Sequence, residues 1–256
     1  MAPCSWELLP AEIRLTILER LFLETRINKI YYNRPCYASV SKEWQIIFEK
    51  WNFHSLTVTQ HCLVELSKMV RHQRKFVNHI CLAIMFGTYG SKRSGELEAP
   101  RRISNNEEIA RKGIWKLFSV LSAWERDGDW GNSGLTLELS IYSTSDFKHR
   151  FKDCCFEDDR ESEPIHEYEP SDFHGPPTME SILRVWGPSV YIRFKRGLPK
   201  VDVVASFLVR RQTRRHLDTE ALSQMFMSLP KLKSAHVELW RKFSEFVQGG
   251  DDIGMF

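Results

Sequence analysis

The stretch LTVTQHCLVELSKMVRHQRKFVNHICLAI, residues 56–84, decides the fold. It opens on a short apolar run, LTV (56–58), which reads as a strand. A segment follows that sets Leu63, Leu66, Met69 and Val70 on one side, the spacing of an amphipathic helix. HICLAI (79–84) is a second apolar run of strand length. Strand, helix and strand thus follow one another without a long interruption, the start of a repeating strand–helix rhythm.

The rhythm returns downstream. SNNEEIARKGIWKLFSVLSAWE (104–125) predicts a helix opened by a capping box, with Ser104 as cap and Glu107 three residues on. Its buried stripe is Ile114, Leu117, Phe118 and Leu121. GLTLELSI (134–141) and KVDVVASFLV (200–209) read as strands. DTEALSQMFMSLP (218–230) reads as a helix capped by Asp218 and stopped at Pro230, and LKSAHVELW (232–240) as a last strand. A Leu-Pro-Lys phrase precedes two of these strands, in GLPKVDVV and SLPKLKSAHVEL. The expected fold class is therefore α/β, with irregular strand–helix repeats similar to leucine-rich repeats after an N-terminal helical part. The regular LxxLxLxxN spacing is absent. Residues 5–53 are expected to form the helical domain and 54–256 the repeat region, with polar inserts at about 87–103 and 142–180. Within the second insert, residues 151–177 hold nine acidic and two basic side chains, net −7, so the other residues of the +3 chain sum to +10. Such a composition predicts a surface loop. No capping unit is recognisable after Trp240, so the last strand is expected to be an exposed edge, or the chain a shortened version of a longer protein.

Bulk properties narrow the function classes. The chain has 256 residues, 42% apolar and 27% charged, typical of a globular protein. A net charge of +3 is too small to argue for a nucleic-acid partner. No apolar run approaches the ~20 residues of a membrane helix, and MAPCSWELLPAEIR lacks the basic start of a signal peptide. The six cysteines are then expected to be thiols, in the cytoplasm or the nucleus. Cys154, Cys155, His166 and His174 do not have zinc-ligand spacing. GTYGSKRSG (87–95) does not run into a helix as a phosphate loop must. RRQTRRH (210–216) reads as a solvated basic connector ahead of Asp218, with a nuclear-localisation or phosphate-binding patch as the alternative. Neither G-x-S-x-G nor H-E-x-x-H occurs. The expectation is a chain without a catalytic site, cofactor or metal.

The N-terminal part carries a more specific pattern. Leu9, Ile13, Ile17 and Leu21 recur at helical spacing, Leu18 widens the stripe, and Pro10 suits a first turn. After the break RINKIYYNRPCY, the stretch YASVSKEWQ (37–45) reads as half of a small helix, in a second stripe of Tyr37, Val40, Trp44, Ile47 and Phe48. Together, LLPAEIRLTILERL and YASVSKEWQIIFEKWNF resemble the F-box, a three-helix unit. The matching positions are Leu9, Pro10, Glu12, Ile13, Ile17 and Leu18, then Val40, Lys42 and Trp44. With its repeat-like remainder, the chain looks like the F-box proteins of filamentous fungi. Between the halves, Ile27 and Ile30 stand where many F-boxes have leucines. The resemblance implies a substrate-recognition subunit of an SCF-type cullin–RING ubiquitin ligase. The F-box would dock to a SKP-type adaptor, and through it to a cullin scaffold, while the repeats hold an unidentified protein substrate. The implied adaptor-binding residues are Leu9, Pro10, Ile13, Ile17, Leu18, Val40 and Trp44. The alternative reading is a protein-interaction scaffold outside any ligase. Neither reading needs nucleic acid or a membrane.

Overall fold

The computed structural model describes residues 6–27, 34–124, 134–147, 149, 177–187, 189–211 and 213–238. The chain divides into two compact units, residues 1–56 with 72–77, and residues 57–71 with 78–256. Residues 72–77, which the sequence pattern assigns to the repeat region, thus belong to the first unit.

The first unit is helical. Its elements are a single 3-10 turn (Trp6–Leu8), α1 (Ala11–Ile27), α2 (Arg34–Tyr37) and α3 (Lys42–His54). YASVSKEWQ is not half of one helix. Helix α2 ends at Tyr37, and Ser39 and Val40 turn back onto the carbonyls of Cys36 and Tyr37. Ser41 then takes an extended conformation and caps α3, its hydroxyl accepting from the Trp44 N–H at 3.3 Å. A serine at this position satisfies a helix-end N–H, which a continuous helix would have no use for.

An aromatic column fills this unit. Trp44 stacks on Phe48 at 5.7 Å between centroids, Phe48 meets Trp51 edge-on at 5.4 Å, and Trp51 meets Phe22 of α1 at 4.7 Å. Tyr37 closes on Phe48 at 5.2 Å, and Trp6 on Trp44 at 5.5 Å. Leu18 and Phe48 are fully buried. The inner face of α1 is therefore Leu18, Leu21, Phe22 and Thr25, and the stripe read from sequence splits: Ile13 and Ile17 lie outside it. Ile30 and residues 151–176, including the cysteines and histidines weighed as metal ligands, lie outside the described residues.

The second unit is mixed α/β, built on a five-stranded parallel sheet in the order β1-β2-β3-β4-β5. The strands are β1 (Ser55–Thr59, whose first two residues fall in the first unit), β2 (His79–Phe86), β3 (Leu135–Ser143), β4 (Val204–Val209) and β5 (Ser234–Val237). Among the described residues each crossover carries one α-helix: α4 (Leu63–Met69), α5 (Pro100–Ser122), α6 (Met179–Trp186) and α7 (Thr219–Met227). Parallel crossovers are right-handed in ~98% of cases, and a strand order that never reverses then puts all the helices on one face. Burial follows that rule. On one face Ile80, Leu82, Ile84, Leu135, Leu137, Leu139, Ile141 and Phe207 are all 2% exposed or less. Their strand neighbours pointing the other way, such as His79, Cys81, Met85, Thr136, Ser140, Tyr142, Ser206 and Leu208, stay half-exposed.

Local chemistry explains the element ends. Gln60 extends the pairing past the end of β1 with its side chain, accepting from the Met85 N–H at 3.0 Å and donating to the Met85 carbonyl at 2.8 Å. Asp218 caps α7 as its position in sequence predicts. Helix α5 instead starts four residues before the expected Ser104, because Pro100 sits in its first turn with Ala99 as cap. Proline's fixed φ and missing N–H suit that position, and they override the capping box. Helix α6, whose first two residues the sequence reading placed in an insert and whose remainder it left unassigned, is capped by Thr178 and ended by Gly187. The insert placed at 142–180 also begins too early, since β3 continues to Ser143. β5 lies at the edge of the sheet, with Ser234, Ala235 and His236 exposed.

Candidate functional site

The first surface is on the helical unit. Glu43, in the first turn of α3, accepts from Trp6 Nε1 at 3.0 Å and from Arg14 Nε at 3.0 Å. Together with the Trp6–Trp44 contact, this ties the start of α1 to the start of α3 and brings the two halves of the motif together. The ion pair is part-exposed and contributes roughly 0.2–1 kcal/mol, so the register is set mainly by the rings. Four of the seven positions singled out in sequence are exposed: Pro10, Ile13, Ile17 and Val40. Leu9 and Trp44 are half-buried. Leu18 does not belong with them. It is 0% exposed, so it packs the unit and offers no surface. Ile46, which the sequence analysis did not single out, is 67% exposed on α3. Its signal was the i, i+2 offset from Trp44, which puts it off the Trp44–Phe48 face.

The second surface is the open face of the sheet. Glu138 stands at its centre on β3. One carboxylate oxygen pairs with His79 Nε2 of β2 at 2.8 Å, and the other with Arg210 Nε beyond β4 at 3.0 Å. The sequence offered one signal, a lone acid inside the apolar strand LTLELSI, and it was passed over. Beside Glu138 in the register lie Cys81 and Leu208, with His236 next along the row. Ser206 and Ser234 share a hydrogen bond at 2.8 Å across β4 and β5. The row mixes polar groups with Leu208 and is held by cross-strand pairs, which suits contact with a protein surface better than enclosure of a small molecule.

Cys81 in this row is a poor nucleophile. Burial chiefly, and the neighbouring Glu138 carboxylate next, push its thiol up to about 12, against a smaller opposing pull from Arg210. The unfolded thiol ionises from about 9, so between pH 9 and 12 the unfolded chain loses a proton that the folded chain keeps. Cys81 therefore lowers stability as pH rises through that window. At pH 8, Cys36 and Cys62, both exposed, are expected to react with iodoacetamide well before Cys81. Peptide mapping of labelled protein over time checks this, and equal labelling of Cys81 rejects it.

A third cluster is structural. The RRQTRRH stretch is not a solvated connector, because Thr213, Arg214, Arg215 and His216 are all buried. Arg215 makes a two-bond fork on Asp146, Nη2 to Oδ1 at 3.0 Å and Nε to Oδ2 at 3.1 Å, and its Nη1 reaches Glu98 at 3.0 Å. Tyr89 donates to Asp146 at 2.8 Å, and Arg184 donates to the carbonyls of Glu96 and Leu97 while lying over the Tyr89 ring. These donors are spent on carbonyls and carboxylates, so the arginines do not make an anion site. Among the described residues no group of His, Cys, Asp and Glu is arranged to hold a metal ion, and no helix is long and apolar enough to cross a membrane.

No family model matches the chain, and neither the curated proteins nor the solved structures searched contain a match.

Proposed function

We propose that the chain is a substrate-recognition subunit of an SCF-type ubiquitin ligase, with its helical unit docking to a SKP-type adaptor and its α/β unit holding a target protein. The observation that carries this reading is the set of apolar side chains turned outward on the helical unit, with Ile13 48%, Ile17 40% and Val40 60% exposed. A unit this small cannot enclose all its large apolar groups, and the remainder is a ready docking surface. They sit in the positions where the F-box resemblance puts adaptor contacts. The sequential parallel strands, with one α-helix per crossover among the described residues, support a repeat-like α/β unit, and its half-exposed sheet face supports a role in holding a protein. Catalysis would come from the ligase, and this chain would raise the local concentration of the target.

Co-purification with a SKP-type adaptor tests the proposal. Wild type is expected to associate at micromolar concentration. The double variant Ile13→Asp with Ile17→Asp is expected to weaken association roughly a hundredfold, about 2.7 kcal/mol. Both side chains are exposed, so circular dichroism should stay unchanged. Wild type that fails to associate sinks the ligase reading and leaves the interaction scaffold.

A further inference from the structure

An open cleft of about 990 Å³ lies between the outer face of α5 and residues 191–199. The second wall is an extended segment outside the sheet, anchored at its start by a single parallel bridge between Val190 and Leu217. The Val190 N–H donates to the His216 carbonyl at 2.7 Å, the Ile192 N–H to Asp218 Oδ1 at 3.3 Å, and the Phe194 N–H to Gln224 Oε1 at 2.9 Å. Ile192 and Phe194 point inward, 1% and 6% exposed, which turns Tyr191, Arg193 and Lys195 outward. A turn closed by the Gly197 N–H on the Phe194 carbonyl at 2.7 Å places Lys195 and Arg196 at its tip. Gly197 has φ 69°, a conformation that glycine adopts without strain.

The charges of the cleft are unequal in number and in availability. Arg111, Arg193, Lys195 and Arg196 line it against Glu107 and Glu108. Glu108 is already engaged by Arg111 at 2.7 Å and by Lys112 at 3.2 Å. Glu107 accepts from the Tyr191 backbone, and partial burial raises its pKa. Lys195 and Arg196 are exposed and pair with no carboxylate among the described residues. Aromatic surface flanks them: Tyr191 is 47% exposed with the Arg193 guanidinium over its ring, and Trp115 on the α5 wall is 46% exposed. Spare cations beside partly exposed aromatic side chains, Trp115 above all because Arg193 already covers the Tyr191 ring, complement carboxylates interleaved with apolar or aromatic side chains.

We propose that this cleft binds an acidic peptide segment of a partner protein. The inference deepens the target-holding role proposed above and rests on that reading for the partner being a ligase target. It adds a second contact region, away from the open sheet face.

The test uses the full chain and a fluorescein-labelled decapeptide of Glu and Asp with a central Tyr, read by anisotropy. Wild type should bind in the micromolar range, and more weakly as salt rises from 50 to 300 mM. Lys195→Glu with Arg196→Glu should weaken binding roughly tenfold or more, and Glu107→Gln, which keeps an oxygen for the Tyr191 N–H, should tighten it several-fold. A control peptide with Lys for every acid should not bind. Three outcomes overturn the proposal: an unchanged affinity in the charge-reversed variant, absence of binding to wild type, or displacement of the probe by a single-stranded RNA at lower concentration than by unlabelled peptide. A probe that binds only after the carboxylates of 151–177 are changed to amides also overturns it, because the cleft then serves this chain's own acidic stretch. Adaptor association depends on the helical unit, so failure here and failure of the ligase reading are separate results.

Discussion

Asp146→Ala is expected to destabilise the α/β unit by about 3–5 kcal/mol, the range for removing one partner of a buried ion pair. Asp146 is 0% exposed and receives four hydrogen bonds on its carboxylate: two from Arg215, one from the Tyr89 hydroxyl and one from the Ser143 N–H. Removing it strands a guanidinium that is itself buried. Burial works against the Arg215 charge, but Asp146 and then Glu98 outweigh it, and its pKa is raised. Arg215 thus cannot relieve the loss by shedding a proton. Nor can Tyr89 supply an anion in place of Asp146. Burial first, and the Asp146 charge second, push its pKa upward, so it stays a donor. In Tyr89→Phe the Asp146 fork on Arg215 survives, and the expected cost is that of one hydrogen bond, about 1–2 kcal/mol. Urea unfolding followed by far-ultraviolet dichroism checks both. A midpoint for Asp146→Ala within error of wild type rejects the role given to this carboxylate.

The same cluster shows where sequence reading stopped. Strands and helices whose apolar residues carry the period were legible: β2, β3, the Ile114–Leu121 stripe of α5 and the Asp218 cap of α7 all lie where the pattern puts them. A basic run has no such period. RRQTRRH looks the same whether its arginines meet water or a buried aspartate sixty-odd positions away, because the partner is chosen by the sheet and not by the neighbours in sequence. Glu138 was hidden for a related reason. Its partners are His79 on β2 and Arg210 just past the end of β4, and only the parallel register brings them to it. Helix α6 was missed because an acidic stretch and two prolines precede it, the insert was drawn through Thr178 to residue 180, and eight residues leave little room for a helical period to show. On the helical unit, periodicity identified the apolar residues but not their direction. Leu18 and Ile17 are neighbours in the same stripe, and one is buried completely while the other is open to solvent. A stripe wider than the face that one partner can cover must split, and a single sequence does not say along which line.

That split makes the second large expected effect a comparison. Phe48→Ala should cost about 3–5 kcal/mol, the range for a fully buried aromatic cut back to a methyl. Phe48 is 0% exposed and touches the rings of Tyr37, Trp44 and Trp51, so its loss opens the column that joins α2, α3 and α1. Val40→Ala and Ile46→Ala, at exposed positions, should change stability by no more than about 0.5 kcal/mol. Hydrogen exchange gives the decisive readout, because the two compact units differ in what holds them. In Phe48→Ala, amides of α1 and α3 should lose protection while those of β2, β3 and β4 keep theirs, since no residue of the aromatic column contributes to the sheet. Equal loss in both units would mean that the column supports the whole chain and not one unit. The contrast also divides the two roles of Trp44. Its ring stacks on Phe48, yet it remains half-exposed, so Trp44→Ala should both loosen the column and remove an anchor from the surface. If the helical unit docks to an adaptor as proposed, a variant pair separates these effects: Phe48→Ala should weaken association only as far as it unfolds the unit, and Ile17→Asp should weaken it with exchange protection intact.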